Sequence, residues 1–451
     1  MTSENDDKQK TKTGGRPAST GVIEGRYALS VGMPSNQKPI EGWEWTLLSS
    51  VARLESGHTP SRKYPEYWGG DIPWVGIRDA TGNHGLTINK TLQYTNALGI
   101  ENSSARILPK NTVCLSRTAS VGYVVVMGCP MATSQDFVNW ICSAKLDYRY
   151  LKYILCSEHD SMLRFASGTT HQTIYFPEAK AFHVLLPSIQ EQRRIADVLQ
   201  SLDDRIALIH ETNATLEAIA RSVFKSWFVD YDPVRNKAEG CRPEGMDDTI
   251  AALFPNCFQE SDLGLIPKGW LIGELQDLLV LQRGFDLPAS ERIVGDYPLI
   301  AASGPTGTHH VAMAKGPGVV TGRSGVLGKV FLTLEDYWPL NTTLWVKKFK
   351  RASPCFAYEL LRLLDFSSFN AGSAVPTLNR NHIHGLKYVL PPLELVQAYE
   401  HMARAIHLRI LENNRQAQTL TQLRDNLLPR LISGQLRMAG TANDDILSEA
   451  I

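Results

Sequence analysis

The stretch Pro187–Asp232, PSIQEQRRIADVLQSLDDRIALIHETNATLEAIARSVFKSWFVDYD, determines how the chain is organised. Its apolar residues recur in alternating steps of four and three, and Asn213 is the single polar residue in the series. This heptad spacing predicts a helix of roughly 55 Å that is buried along a narrow seam. We expect Pro233 to end the helix, because proline cannot donate a helical hydrogen bond. The seam positions are Ile195, Leu199, Leu202, Ile206, Ile209, Asn213, Leu216, Ala220 and Val223.

The same pattern returns 204 residues later. Two helices with matching seams can pair antiparallel, which would place a globular segment at each end and give the chain an approximate two-fold axis. We expect Asn213 and Asn413 to face each other and fix the register, since a buried Asn pairs best with another polar group. Alternatively, each helix packs only on its own globular segment. The second seam comprises Tyr399, Ala403, Ile406, Ile410, Asn413, Ala417, Leu420, Arg424 and Leu427.

The segments that precede the two helices also match each other. Trp43–Gly57 aligns with Trp270–Gly284, whereas residues 58–110 and 285–316 hardly match. A shared framework with divergent loops is typical of two recognition modules of different specificity. Apolar runs between turn residues predict strands, and a longer run predicts a helix. The strands are Thr112–Leu115, Tyr123–Met127, Phe137–Cys142 and Ala181–Leu186, and the helix is Tyr148–Phe165.

This repeat predicts an α/β (α+β) protein with two globular domains, separated by two long antiparallel coiled-coil helices in an internal pseudo-two-fold arrangement. The predicted boundaries follow the repeat and the proline- and glycine-rich passages. They are a polar tail and arm at 1–39, a first domain at 40–186, a first helix at 187–232, a linker at 233–262, a second domain at 263–390, a second helix at 391–433 and a tail at 434–451.

Composition narrows the possible classes of protein. The 451 residues contain 46 Lys and Arg against 46 Asp and Glu, so no global basic field favours nucleic acid, although a local basic face would suffice. Seven cysteines without a C-x-x-C pair suggest reduced thiols in the cytoplasm. The polar start lacks a signal-peptide core, and no apolar run approaches the ~20 residues of a membrane span. We therefore expect a cytoplasmic protein without a membrane partner.

The sequence lacks a convincing catalytic or metal-binding constellation. No Asn-Pro-Pro-Tyr methyltransferase tetrapeptide occurs, and Gly322–Val330 departs from a phosphate loop in both spacing and final residue. His382 and His384 have no carboxylate or third ligand in the pattern that a metal site requires. We expect no catalytic residue, metal or cofactor on this chain, which is typical of a binding protein.

Polar and basic loop residues are the candidates for binding DNA, where Lys, Arg and hydroxyl groups contact phosphates and a few side chains read base edges. Arg117 and Arg323 occupy the same place in the repeat, which favours a phosphate contact or an internal ion pair over base reading. The candidates are Arg62, Lys63, Arg78, Arg117, Thr118, Thr170, His171, Gln172, Arg283, Arg323, Ser324, Lys329, Asn379 and Arg380.

Two motifs and several longer stretches of the chain match a known family. The most specific motifs are an LPxxxEQ helix opening and a SWFVDYDPVRNKAEG linker. The matching stretches include GGRPAST, YALSVGMP, GWEWTLLSSVARLESGHTPSRKYPEYWGGDIPWVGIRD, LLPSIQEQRRIADVL, FKSWFVDYDPVRNKAEG, LFPNCFQESDLGLIPKGW, VLPPLELVQAYE and LLPRLISGQLR. Through these residues, the chain resembles the specificity (S) subunits of type I restriction–modification systems from Gly14 to Arg437. The second helix departs from the motif, because Glu394-Leu395-Val396 replaces Gln190-Glu191-Gln192.

The resemblance implies two target-recognition domains that each read one half of a split, asymmetric site in double-stranded DNA. It implies that the helices set the gap and dock two modification (methyltransferase) subunits, and that restriction subunits join them. S-adenosylmethionine, ATP and magnesium would then belong to the partner subunits. We assign partner docking to Arg193, Arg194, Trp227 and Phe228, with core packing as the alternative for the two aromatic residues. A degenerate fused restriction–methylation enzyme and a protein scaffold that does not read DNA remain the rival classes.

Overall fold

A computed structural model describes residues 21–167, 172–364, 366 and 378–438. The chain forms two compact units, and each long helix contributes one part to each unit. The first unit comprises Met1–Ala207 and Gln418–Ile451, and the second comprises Leu208–Ala417. Within the described residues, no helix combines the length and the apolar character that crossing a membrane requires.

The first unit is a mixture of short helices and strands. Its helices are Leu48–Val51 (α1), Ile77–Gly82 (α2), Ala97–Glu101 (α3), Tyr148–Ser157 (α4), His159–Phe165 (α5) and Phe176–Lys180 (α6). Its strands are Ile23–Glu24 (β1), Leu29–Val31 (β2), Glu44–Leu47 (β3), Ala52–Ser56 (β4), Trp68–Val75 (β5), Thr87–Ile88 (β6), Gln93–Thr95 (β7), Val113–Ser116 (β8), Val124–Met127 (β9), Ala132–Thr133 (β10), Phe137–Cys142 (β11) and Phe182–Leu186 (β12). The long helix Ile189–Phe228 (α7) follows.

The second unit repeats much of this order. Its short helices are Asp232–Ala238 (α8), Asp248–Ala252 (α9), Leu275–Leu278 (α10), Pro354–Leu363 (α11) and Arg380–His384 (α12). Its strands are Phe258–Gln259 (β13), Ile266–Pro267 (β14), Leu271–Glu274 (β15), Leu279–Arg283 (β16), Tyr297–Ala301 (β17), Gly304–His309 (β18), Gly318–Gly322 (β19), Val330–Thr333 (β20), Trp338–Pro339 (β21), Thr343–Phe349 (β22) and Lys387–Leu390 (β23). The second long helix is Leu393–Ile432 (α13).

Sheet topology confirms the internal repeat. The order β4-β11-β8-β9 in the first unit corresponds to β16-β22-β19-β20 in the second. The order β7-β5-β10 corresponds to β18-β17-β21, and each of these sheets contains one antiparallel and one parallel pair. The first unit extends its version of the larger sheet with β6, which pairs parallel to β9. The α/β (α+β) class and the two long helices are therefore confirmed.

The long helices pair antiparallel along the predicted seam. Every predicted seam position is buried or half-buried. In the second unit, the Asn413 side-chain amide donates to Asn213 Oδ1 at 2.7 Å, and Tyr399 Oη donates to the Ala220 carbonyl at 3.1 Å. In the first unit, Arg424 Nη1 lies 2.9 Å from Asp203 Oδ1. The predicted contact between the two asparagines is confirmed.

The helices also pack on the globular part of each unit. Since both helices contribute to both cores and pair with each other, the alternative that each helix packs only on its own globular segment is wrong. Ile195 and Leu199 of α7 join the core of the first unit, as do Leu431 and Ile432 of α13. In the second unit, the core contains apolar residues from both long helices. These are Phe224, Trp227 and Phe228 of α7, with Leu395, Val396, Tyr399 and Ala403 of α13.

Two predicted helix boundaries are wrong. The first long helix ends at Phe228 rather than at Pro233, because Tyr231 adopts a left-handed conformation with φ 56°. Pro233 instead lies in the first turn of α8, where a missing N–H costs nothing. The predicted helix Tyr148–Phe165 is divided at Glu158. The buried Glu158 carboxylate accepts hydrogen bonds from three consecutive backbone N–H groups of the N-terminal arm, at Arg26, Tyr27 and Ala28.

Candidate nucleic-acid interface

Both units build the same hydrogen-bonded frame around the loop that follows a buried strand. In the first unit, Arg117 N donates to the Asp136 carbonyl at 2.7 Å, and Ile174 N donates to the Arg117 carbonyl at 2.9 Å. The second unit repeats both bonds at Arg323, where Arg323 N donates to the Thr342 carbonyl at 2.8 Å and Leu378 N donates to the Arg323 carbonyl at 2.9 Å. The backbone positions of these two arginines are therefore equivalent.

A glycine in each unit lets a second loop approach this frame closely. A Cβ atom on Gly57 would lie 2.0 Å from the Ser134 carbonyl oxygen, and one on Gly284 would lie 2.3 Å from the Leu340 carbonyl oxygen. No other residue type fits such an approach without movement of the backbone. The loops after these glycines therefore start from equivalent places in the two units.

The side chains attached to this common frame differ between the units. In the first unit, the Thr59 hydroxyl contacts the Gln135 side chain, and Arg117 Nε donates to the Gln135 carbonyl at 3.1 Å. In the second unit, the side chains of Asn341 and Asp286 contact each other, and Arg283 lies 3.3 Å from the Asp286 carboxylate. One frame thus carries two different sets of polar groups.

The Arg117 side chain is half-buried, and burial lowers its pKa, an effect that the nearby Asp136 carboxylate opposes. Its described partner is a backbone carbonyl rather than the carboxylate of an ion pair. The neighbouring Thr118 hydroxyl lies 2.6 Å from the Thr173 hydroxyl. These contacts hold the Arg117 loop against the segment that begins at Gln172, whose own side chain is exposed.

Arg62, one of the predicted DNA contacts, touches three other side chains. Its guanidinium lies over the Trp68 ring at 4.4 Å and over the Trp74 ring at 5.3 Å, measured to the ring centroids. Its Nη2 also donates to Gln93 Oε1 at 2.8 Å. Sequence reasoning found Arg62 but not its partners, because Gln93 is 31 residues distant and no local pattern marks it. Lys63 and Arg78 are exposed nearby in sequence.

The remaining candidates in the second unit lie on loops or at helix starts. Lys329 is exposed, and Ser324 is half-buried with its backbone N–H bonded to the Thr342 carbonyl at 3.1 Å. Asn379 caps α12 by accepting from Asn381 N at 3.0 Å, and Arg380 is exposed. The predicted residues Thr170 and His171 lie outside the described residues.

Two histidines of the second unit have structural contacts. Leu281 N donates to His384 Nε2 at 2.9 Å, and burial lowers the pKa of His384. His309 is buried, and its Nδ1 lies 3.1 Å from Ile293 N. In the described part of the chain, no cluster of three or more His, Cys, Asp or Glu residues could hold a metal ion.

The four residues assigned to partner docking divide into two pairs. Trp227 and Phe228 are 6% and 3% exposed within an aromatic cluster of the second unit, so their side chains pack in the core and offer no docking surface. Core packing, the alternative given above for these two aromatic residues, is therefore what the structure shows. Arg193 and Arg194 are exposed on α7, and Arg194 lies 3.6 Å from Glu191.

The motif difference at the two helix starts has a structural explanation. Gln192 is buried and ties the start of α7 to the loop before α4, because its side chain accepts from Asp147 N at 3.0 Å and donates to the Lys145 carbonyl at 3.2 Å. Val396, at the equivalent position of α13, is buried in an apolar core instead. Replacing Gln192 by Val396 at the equivalent position therefore exchanges a buried hydrogen-bonding side chain for an apolar one.

Each long helix also exposes an apolar side chain at the same position of the repeat. Ile219 of α7 is 45% exposed in the second unit, and Leu423 of α13 is 40% exposed in the first. Single exposed apolar residues are common on protein surfaces. Their recurrence at matching positions gives each unit the same apolar feature on its helical surface.

The chain is similar to known proteins of one family. Residues 40–218 match the family model described as the type I restriction modification DNA specificity domain. The chain is 26% identical over 427 residues to the type I restriction enzyme MjaIX specificity subunit of Methanocaldococcus jannaschii, covering 88% of this chain and 94% of that protein. It is 24% identical over 345 residues to the HindI specificity subunit of Haemophilus influenzae, covering 62% of this chain and 74% of that protein.

A crystal structure of a type I restriction–modification S subunit from M. genitalium has the same fold. It aligns with a TM-score of 0.55 at 18% sequence identity and covers 91% of this chain and all of that one. The duplicated fold, with its paired long helices, and the domain match together make the chain similar to DNA specificity proteins. More particularly, the chain is similar along most of its length to specificity subunits of type I restriction–modification systems.

Proposed function

We propose that this chain is the DNA-reading, non-catalytic subunit of a type I complex, in which each unit reads one half of a split, asymmetric site. The observation that carries the proposal is the common frame of the two units with different polar side chains attached to it. Two domains that read different base sequences need the same backbone positions but different side chains at those positions.

The proposal assigns the spacing of the two half-sites to the paired helices and assigns docking of two methyltransferase subunits to their outer faces. Arg193 and Arg194 are exposed on the first helix, and Ile219 and Leu423 recur at matching positions of the two helices. Matching features on a duplicated chain suit two copies of one partner. Restriction subunits would join this assembly.

Catalysis in this proposal belongs to the partner subunits, which would hold S-adenosylmethionine, ATP and magnesium. The equal numbers of basic and acidic residues fit a subunit whose partners supply much of the phosphate contact. The loops assigned to DNA in both units carry arginine, lysine, threonine and asparagine, which are the residue types that contact phosphates and bases.

Single-molecule sequencing of host DNA, with and without this gene, tests the proposal. We expect N6-methyladenine to disappear from one split motif when the gene is deleted, and the motif to show both half-sites together. If a methylated split motif is present and survives the deletion, the DNA-reading role is wrong. A pull-down of the methyltransferase by the full chain would then separate a scaffold, which binds it, from a protein outside such a complex.

A further inference from the structure

The surroundings of Arg62 distinguish it from the other candidate DNA contacts. We propose that Arg62 reads a guanine in the half-site of the first unit, and that Trp68 and Gln93 are positioning residues that hold its guanidinium in the reading orientation. This inference rests on the proposed function, since it names the base that one of the two units recognises and the group that recognises it.

The guanidinium is held from two sides while remaining exposed. It stacks over Trp68 at 4.4 Å, and Trp68 itself meets Trp74 edge-on at a centroid distance of 5.1 Å. Gln93 Oε1 accepts one of its five N–H donors at 2.8 Å. A cation over an indole face is attracted by the ring, and a planar guanidinium also stacks on it. Orientation is therefore set before any ligand arrives.

A cavity of about 360 Å³ lies beside the Arg62 guanidinium. It is lined by Arg62, Trp68, Leu92, Gln93 and Tyr94. Its walls come from the first part of β5, from β7 and from the loop that carries Arg62. The cavity lets a planar partner approach the guanidinium without displacement of the protein.

A fixed guanidinium suits a base edge better than a phosphate. Guanine presents its O6 and N7 acceptors side by side in the major groove, and an arginine fork meets both at once. Phosphate contacts set position without carrying sequence information, and a mobile lysine can make them. The Arg62 segment lies within residues 58–110, which hardly match the repeat, whereas Arg117 has a counterpart in Arg323. Sequence-specific contacts are expected in the part that differs.

The test uses the full chain assembled with its methyltransferase subunits and a library of duplexes with randomised bases, sequenced after selection. We expect the wild-type complex to select a split motif with a guanine in one half. Arg62→Ala and Arg62→Lys should each lose the preference for that guanine by about tenfold or more and leave the other positions unchanged, because a lysine cannot form the fork. Gln93→Ala should weaken the same preference and no other.

Lys63→Ala is the matched control, since Lys63 is the exposed neighbour in sequence. It should weaken binding equally for all library members and reduce the salt dependence of binding. Three results would overturn the assignment of Arg62: uniform or complete loss of binding by both Arg62 variants, no change in any preference, or a preference for guanine that survives in Arg62→Lys. If the wild-type complex selects no motif at all, the proposed function itself fails.

Discussion

Ala119 occupies a backbone conformation that suits glycine. Its φ is 63°, in the left-handed region that an L-residue with a Cβ atom enters at a cost of roughly 1 kcal/mol. The repeat places Gly325 at the equivalent position of the second unit. Its φ is 84°, and no other atom lies within 4 Å of the place that a Cβ atom would occupy. The two loops therefore share one conformation, and only the first is strained.

Substitutions at these two positions should change the free energy of unfolding in opposite directions. Ala119→Gly should raise the free energy of unfolding of the first unit by about 0.5–1 kcal/mol, because it removes the strain. Gly325→Ala should lower that of the second unit by about 1 kcal/mol, since the surrounding space is open and only the backbone penalty remains. Urea unfolding of the full chain checks both. The same sign for both variants would contradict the shared conformation.

Glu359 is a buried carboxylate in the second unit. It is 1% exposed, lies 3.2 Å from Arg362 and 3.7 Å from Arg221, and belongs to α11. Burial raises its pKa from 4.5 to about 7, Arg221 opposes the shift, and Glu217 adds to it. Because the folded state holds this proton more tightly than the unfolded state, its contribution to stability is complete below pH 4.5 and is lost as the pH rises through 7.

Glu359→Gln should therefore flatten the pH dependence of stability. Between pH 4.5 and about 7, the wild-type carboxylate contributes a slope of about −1.4 kcal/mol per pH unit to the free energy of unfolding, and the amide contributes none. Urea unfolding across this range measures the difference. Glu211→Gln, at an exposed position on α7, is the control and should retain the wild-type slope. Parallel profiles for wild type and Glu359→Gln would contradict the assignment.

At the scale of elements, the heptad pattern predicted the long helices well because the spacing that defines a seam is local. Their observed ends differ from prediction by a few residues, and the asparagine contact follows directly from the pattern. The break at Glu158 could not be predicted, since the backbone groups that its carboxylate binds are about 130 residues earlier. The Arg62–Gln93 contact escaped prediction for the same reason, because it depends on how β7 pairs with β5.

The asparagine contact predicts different results for single and double substitutions. Asn413→Leu leaves the Asn213 carbonyl oxygen without its donor in a seam where Asn213 is 7% exposed, and this should lower the free energy of unfolding by about 1–3 kcal/mol. Asn213→Leu combined with Asn413→Leu removes both polar groups, so stability should recover while the register is less well fixed. Urea unfolding measures the first effect, and the gap in the methylated motif measures the second. Unchanged stability in the single variant together with an unchanged gap in the double variant would contradict this role.

At the scale of the whole molecule, duplication is what allows one chain to carry the two readers of the proposed function. The frame around Arg117 and Arg323 is the same, down to backbone hydrogen bonds within 0.1 Å of each other in length, yet the attached side chains differ. The fold could be predicted because the repeat is visible in the sequence. The candidate DNA contacts could not be distinguished from solvated charges, because an arginine becomes oriented only through contacts that the fold creates.

The proposed role of the helices as a spacer makes a quantitative prediction. Duplicating one heptad in α7 after Ala207 and one in α13 after Ala417 preserves the phase of both seams and adds about 10 Å at 1.5 Å per residue. At about 3.4 Å per base pair, the gap between the half-sites should grow by about three base pairs while both half-site sequences stay the same. Sequencing of methylated host DNA measures the gap directly. The control is an insertion of seven residues after Gly245, an exposed loop residue with a φ of 71°. This insertion should leave the gap unchanged. A gap that keeps its wild-type length in the heptad variant, with both half-sites still methylated, would show that the helices do not set the spacing.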